Sequence, residues 1–333
     1  VSDGQTTEST EEAQEEKDPL IPEIDTSVEL QAGSRVAVVS KSTSGEFWGL
    51  VKKGMEQAIA DVNEAYGFKK EDQVTMTFEG ASDEKDVESQ VNTIDAVIAE
   101  NPDVLCVSAS DMDSLQAQLE AAKENGIPVV AFDSGVTDSK MVRAFRGTDN
   151  TRVGEIAAYR LATAIGKMGK VAVFSAQEKT QSIQERVSGF TNYITNYPDI
   201  EVVEIVYQDQ VDDMTAAMQE VLDKYPQLDG VFCDNADIAD LYLDMKKDET
   251  KDSIVMVGVD ATAKQQEAIR NGKEVGVVSQ QPYAMGYQTI WTALLTTAPK
   301  KSVEIKRNVR IDPAWIDSSN IDDPTYSSYL YAN

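Results

Sequence analysis

Short apolar runs recur along this chain, and each stops on a polar side chain. VAVVS ends at Ser40, VLCVS at Ser108, IPVVAFD at Asp133, GVFCDN at Asn235, IVMVGVD at Asp260 and VGVVSQ at Gln280. Apolar runs of four to six residues between helical patterns read as parallel strands buried on both faces. The intervening segments carry apolar residues at helical spacing, as in Val87, Val91, Ile94 and Ile98.

The pattern predicts strand 36–40, helix 47–66, strand 74–79, helix 87–98, strand 104–108, helix 112–125 and strand 127–133. The alternation then restarts with helix 151–166, strand 170–175, helix 182–196, strand 201–207, helix 214–225, strand 230–233 and helix 236–247. Strand 254–259, helix 262–271, strand 275–280, helix 283–297 and an irregular end follow. Thr262 and Gln265 have the spacing of a capping box. Two similar βα series predict an α/β protein of two doubly wound parallel-sheet lobes. Segments near 146–149, Pro282 and 307–312 are the expected crossings between them. One lobe is expected over 34–147 plus 282–307 and the other over 148–281 plus 308–322, with a tail at 323–333. Residues 1–33 hold ten acids against Lys17, the composition of a disordered acidic tether.

In open α/β sheets, ligands bind outside the carboxyl ends of the strands. The strand-end residues Ser40, Ser108, Asp133, Asn235, Asp260 and Gln280 are therefore candidate ligand contacts. Asp133 and Asp260 are acceptors for neighbouring hydroxyls; taken singly, each reads equally well as a cap on the following turn. Phe47 and Trp48 open the first helix, either as core residues or as a flat wall for the C–H face of a sugar.

Composition narrows the chemistry. The chain of 333 residues has no histidine, so Ser-His-Asp catalysis is excluded, and 30 Lys+Arg against 58 Asp+Glu give a net charge of −28. Such a field repels nucleic acid and anionic lipid. Cys106 and Cys233 sit inside strand runs and read as buried free thiols. Neither zinc spacing nor a P-loop is present. A glycosidase pair is disfavoured, because Asp133 and Asp260 both adjoin hydrophilic turns. The opening VSDGQTTE has neither the basic segment nor the apolar core of a signal peptide, so a cytoplasmic or an already processed protein is expected.

VAVVSKSTSGEFWGLVKKG, NGIPVVAFDSGV, RGTDNTRVGEIAAYRLA, QERVSGF, DGVFCDNADIA, VMVGVDAT and VGVVSQQPYAMG together resemble the ribose- and galactose-type solute-binding proteins of ABC sugar importers. These share a fold with the cores of lac-repressor-like regulators. The resemblance covers about residues 34–312 and implies two α/β lobes joined by three hinge segments, the periplasmic binding protein type I fold, with a sugar held between them. It implies sandwiching aromatics at Phe47 and Trp48 and hydroxyl ligands at Asp133, Asn235, Asp260 and Gln280. Asp149 and Asn150 fall in the first crossing.

The family's two sugar-gripping arginines match Ser134 and Gln184, and Arg186 matches a structural arginine. Both guanidinium forks are thus expected to be missing, with Lys41, Lys179 or Arg146 weighed as replacement donors against plain surface roles. A neutral or cationic ligand is implied rather than an anionic one, and ribose itself is disfavoured. The implied partners are a small sugar-like ligand and an importer permease, with no cofactor, no metal and no nucleic acid. A monomer is implied, joined to a membrane only through a lipid anchor upstream of this chain, at the outer face of a Gram-positive-type membrane or else in a periplasm. The alternatives are a regulator's effector core, disfavoured by the acidic N-terminus, and a sensor presenting ligand to a chemoreceptor or kinase.

Overall fold

The computed structural model describes residues 20–250, 252–299 and 303–331. In chain order the first lobe holds β1 (Arg35–Ser40), α1 (Glu46–Tyr66), β2 (Thr75–Gly80), α2 (Val87–Ala99), β3 (Val104–Val107), α3 (Gln116–Glu124), β4 (Val129–Phe132) and β5 (Ala144–Thr148). The second holds α4 (Asn150–Ala164), β6 (Gly169–Ser175), α5 (Gln181–Ile194), β7 (Ile200–Tyr207), α6 (Met214–Lys224), β8 (Gly230–Cys233), α7 (Ala236–Met245), β9 (Val255–Val259), α8 (Ala263–Arg270) and β10 (Gly276–Ser279). The chain then returns through α9 (Pro282–Leu295) and β11 (Asn308–Ile311) to the first lobe and ends with β12 (Ala314–Asp317) in the second.

Each lobe has a six-stranded sheet, ordered β11-β5-β4-β3-β1-β2 and β12-β10-β9-β8-β6-β7. All pairings are parallel except β10 with β12. Successive side chains of a strand face opposite sides. Val36 and Val38 accordingly join α1 and α9 on one face, while Ala37 and Val39 meet Ile94, Ile98 and Leu119 on the other. Both faces of β1 are covered, which is why its run is apolar without alternation. Each valine so buried contributes roughly 1.5–3 kcal/mol.

The chain crosses between lobes at Asp149, at Gln280–Gln281 and at Asp312–Pro313. Residues 308–311, expected in the second lobe, instead form β11 at the edge of the first sheet. The apolar periodicity does not reveal β5, β11 or β12 as strands. AFRGT, NVRI and AWID are short, and each carries a charged or bulky residue where an apolar one would announce a strand. Arg146 shows how this works: its guanidinium donates to the carbonyls of Phe145 and Lys306 at 2.8 Å each, so the charge is satisfied between β5 and the segment entering β11. Burial lowers its pKa to about 10.

Residues 20–33, expected as the end of a tether, are instead part of the first lobe. Leu20, Ile21, Ile24, Val28 and Leu30 pack on its core, Tyr66 donates to the carbonyl of Val28 at 2.5 Å, and Gln288 to that of Leu20 at 2.8 Å. Five apolar side chains in eleven residues bury enough surface to hold the segment down. Residues 1–19 of the expected tether lie outside the described residues. Cys106 and Cys233 are buried free thiols, and Thr262 and Gln265 form the reciprocal capping box.

Candidate ligand-binding cleft

The carboxyl ends of both sheets face a cavity of about 140 Å³ between the lobes. Of the residues expected from sequence, Phe47, Trp48, Asp133, Asn235, Asp260 and Gln280 line it. Lys41, Arg186, Glu84, Asp237, Asp240 and Ile183 add to its polar and apolar walls.

Asp133 and Asp260 follow directly on β4 and β9, with φ of 60° and 78°. This left-handed region is open chiefly to glycine, asparagine and aspartate. Leaving the strand in this conformation turns the chain sharply and leaves each carboxylate at the mouth of its sheet. Asp133 Oδ2 receives the hydroxyls of Ser108 at 2.8 Å and Ser134 at 3.0 Å, and the ammonium of Lys41 at 3.0 Å. Asp260 Oδ1 accepts from Gln280 Nε2 at 2.7 Å and from the Tyr331 hydroxyl at 2.6 Å, while Oδ2 accepts from the Ala236 amide at 2.9 Å. Thr148 in turn donates to Gln280 Oε1 at 2.7 Å. Gln280 is thereby fixed with its amide nitrogen towards Asp260, and two crossing strands are tied together.

Asn235 both lines the cavity and caps α7, its Oδ1 accepting from the Ile238 amide at 2.9 Å. Phe47 and Trp48 meet edge to face, 5.0 Å between centroids at 86°. Both belong to the first-lobe core as well as to the cavity wall, so each is packed on one side and faces the cavity on the other. Trp48 Nε1 donates to Glu84 Oε1 at 2.8 Å, which locks the indole.

Four expected contacts lie elsewhere. Ser40 is buried and spends its hydroxyl on the Ser42 carbonyl at 2.6 Å, within the turn after β1. Ser108 and Ser134 stand behind Asp133 as donors rather than on the cavity. Gln184 is exposed on the outer face of α5.

Arg186, expected as purely structural, is the residue that reaches the cavity. It is 3% exposed, its Nε donates to Asn150 Oδ1 at 2.9 Å and its Nη1 to the Asp234 carbonyl at 3.0 Å. Helix geometry explains the exchange: Ile183, Arg186, Val187 and Phe190 recur at three- and four-residue steps along the buried stripe of α5, and Gln184 falls off it. The close approach of α4 and α5 sets its depth. A Cβ on Gly154 would stand 2.1 Å from the Arg186 carbonyl oxygen, and one on Gly189 2.3 Å from that of Thr151.

Of the possible replacement donors, Lys41 is buried beside Asp133, Arg146 is occupied by the carbonyls of Phe145 and Lys306, and Lys179 is exposed. The cleft therefore holds one guanidinium and one ammonium.

Residues 36–298 match the periplasmic binding protein domain family. The chain belongs to that family. This periplasmic binding protein is 27% identical over 203 residues to the ribose import binding protein of Bacillus subtilis (strain 168), a match over 61% of this chain and 66% of the relative. The chain thus spans a little under two thirds of the length of that relative. A solute-binding protein of an ABC transporter from Agrobacterium vitis, solved with bound D-fucose, superposes with a TM-score of 0.81 at 28% identity, covering 90% of this chain and 100% of that one. A carbohydrate transporter solute-binding protein from Agrobacterium radiobacter in complex with D-arabinose gives 0.80 at 28% identity, covering 90% and 99%.

The lobes of this binding protein touch around the cavity. Ser134 and Ser182 hydroxyls are 2.7 Å apart, Gly135 donates its amide to Gln181 Oε1 at 2.8 Å, and Thr180 bonds the Ser110 carbonyl at 2.6 Å. On the opposite lip, Glu46 Oε2 accepts the Ala263 amide at the start of α8 at 2.9 Å. The arrangement is a closed cleft with a strongly acidic mouth. Desolvation within the cleft, with repulsion from Glu84, Asp240 and Asp260, pushes the Asp237 carboxyl up to about 7, although the residue keeps an exposed edge at the mouth. Burial also raises Asp240 to about 6, although the Thr262 hydroxyl and Lys264 oppose it. Lys41 is desolvated, but Asp133 and Glu84 outweigh that cost and hold its ammonium above the ordinary value.

Proposed function

We propose that this protein is an extracytoplasmic receptor that captures a small uncharged sugar between its lobes and passes it to an ABC importer. The observation that carries this reading is convergence: acceptors Asp133 and Asp260, donors Arg186 and Asn235, and the aromatic pair Phe47–Trp48 meet on one small cavity bounded by both lobes. A sugar presents hydroxyl edges and an apolar face, and these groups match both. Anionic sugars would meet Glu84, Asp237 and Asp240 at the mouth.

The carboxylates suit binding rather than turnover. Asp133 is held by an ammonium and two hydroxyls, and Asp260 by an amide, a phenol and a backbone N–H. Groups fixed in this way orient hydroxyls; they are poor proton shuttles. The ligand contacts both lobes, so it selects the closed form.

Among the described residues no helix is long and apolar enough to cross a membrane. Attachment at the outer face of a membrane through a lipid anchor upstream of the acidic N-terminal segment belongs to this proposal, as does delivery to a permease; membrane fractionation with and without detergent tests the anchor.

The central test is calorimetry and thermal shift with D-ribose, D-arabinose, D-fucose and xylitol, alongside a uronic acid. At least one neutral sugar should raise the melting temperature, since a ligand that binds only the folded form stabilises it by mass action, and the uronic acid should not. Asp133→Asn and Asn235→Ala should abolish the shift. A panel that shifts nothing, or hydrolysis of any sugar glycoside, would sink the reading.

A further inference from the structure

Of the tyrosines in the tail 323–333, Tyr331 stands directly behind the cleft, where its hydroxyl holds Asp260. After β12 the chain makes a short 3-10 turn over Pro324–Tyr329. Tyr326, Tyr329 and Leu330 pack there on a second-lobe cluster containing Ala261, Ile269 and Ile316. The backbone of residue 331 is then pinned to the turn between β9 and α8: its amide donates to the Ala261 carbonyl at 3.0 Å, and its carbonyl accepts from Gln266 at 2.9 Å.

From this second-lobe anchor the side chain of Tyr331 turns into the first lobe. It is 2% exposed and belongs to the first-lobe core cluster. Its ring lies 6.1 Å from that of Phe47, centroid to centroid. Its hydroxyl donates to Asp260 Oδ1 at 2.6 Å. One side chain therefore stands behind two walls of the cavity, an aromatic wall from the first lobe and a carboxylate wall from the second.

We propose that Tyr331 is a positioning residue for ligand recognition, fixing the plane of the Asp260 carboxylate and the seat of Phe47 so that both meet the same sugar. The proposal rests on the cleft being the ligand site. The phenol adds a second donor to the oxygen already held by Gln280, so rotation of the carboxylate would break two bonds on one atom. Its ring removes the space into which Phe47 would otherwise retreat. Tyr331 is not itself a cavity-lining residue, so it acts through the two that are.

The test is a double-mutant cycle on the full chain, read by calorimetry with whichever of D-ribose, D-arabinose and D-fucose binds most tightly. Tyr331→Phe keeps the ring and removes only the hydroxyl, so the fold is preserved. It should weaken binding about tenfold, because hydrogen bonds involving charged groups carry the larger effects. In an Asp260→Asn background the same change should have far less effect, since the coupling is carried by that carboxylate. A merely structural tyrosine would give equal losses in both backgrounds, and that result overturns the proposal. Unchanged affinity in Tyr331→Phe, with Asp260→Asn still impaired, overturns it while leaving the receptor reading intact. Failure of the unaltered protein to bind any of the three sugars overturns the receptor reading and this assignment with it.

Discussion

Lys41 Nζ lies 3.0 Å from Asp133 Oδ2, with both side chains withdrawn from solvent at the floor of the cleft. An ammonium here is held in place by Asp133 and Ser134 Oγ, the latter also at 3.0 Å. The small serine at 134 leaves room for a lysine arriving from the turn after β1, which brings a positive charge to Asp133.

Replacing Lys41 with Met leaves the Asp133 carboxylate buried with hydroxyl donors alone. Breaking a buried pair from one side costs about 3–5 kcal/mol, and the open form, which hydrates Asp133, should recover part of it. We expect a clear drop in melting temperature without ligand and loss of the sugar-induced shift. Full retention of both would mean that the pair is incidental.

Arg186 and Gln184 offer a paired test of the helix phase of α5. Arg186→Lys keeps a charge but loses the fork that holds Asn150 and the Asp234 carbonyl; sugar affinity should fall more than tenfold. Gln184→Ala, on the exposed face, should leave affinity within twofold. Calorimetry on both variants decides it, and a reversed order would mean that the cleft is misassigned.

Protons should stabilise the fold across the mildly acidic range. Burial raises the fully buried Asp234 to about 7, against the hydrogen bond from Ser175 and the charge of Arg186; Asp237 also lies at about 7 and Asp240 at about 6. Each folded value exceeds the ordinary 3.8, so between about pH 4 and 7 the folded protein binds more protons than the unfolded chain and stability falls as pH rises. Melting temperatures taken from pH 5 to 8 should decline, and Asp237→Asn with Asp240→Asn should flatten the slope. A profile that rises over this window would contradict the assignment.

Gly189→Ala tests the contact that seats Arg186. The added Cβ would stand 2.3 Å from the Thr151 carbonyl oxygen, a backbone atom, so α4 and α5 must separate. Overpacking of this kind costs about 1–3 kcal/mol. Denaturant titration should show the loss, with sugar affinity reduced in parallel because the guanidinium is displaced.

Much of this architecture was legible because a doubly wound sheet writes itself twice into a sequence, as apolar runs and as the polar residue that ends each run. Asp133, Asn235, Asp260 and Gln280 were found by that rule, and all four line the cavity. The rule misled at Ser40 and Ser108, where a hydroxyl at a strand end serves a turn or a neighbouring carboxylate. Arg186 was assigned by motif matching when the phase of its own helix, set by Ile183 and Phe190, already put it inside. Strands β5, β11 and β12 were hidden because an arginine or tryptophan in four or five residues dilutes the apolar signal. Lys41 was weighed beside Lys179 and Arg146, and only the folded chain, which brings it to Asp133, singles it out; Tyr331 was out of reach because its partner Asp260 lies 71 residues away.

The Glu46 carboxylate, on the rim of one half, takes the free N–H at the start of α8 on the other. When the halves part, water can take over both ends of that bond, so the exchange is close to neutral in free energy. A clasp of this kind guides the jaws into register without gluing them. This one clasp therefore leaves the two shapes nearly balanced, so the free energy that favours the closed one would have to come from whatever fills the cleft and from the other bonds between the halves.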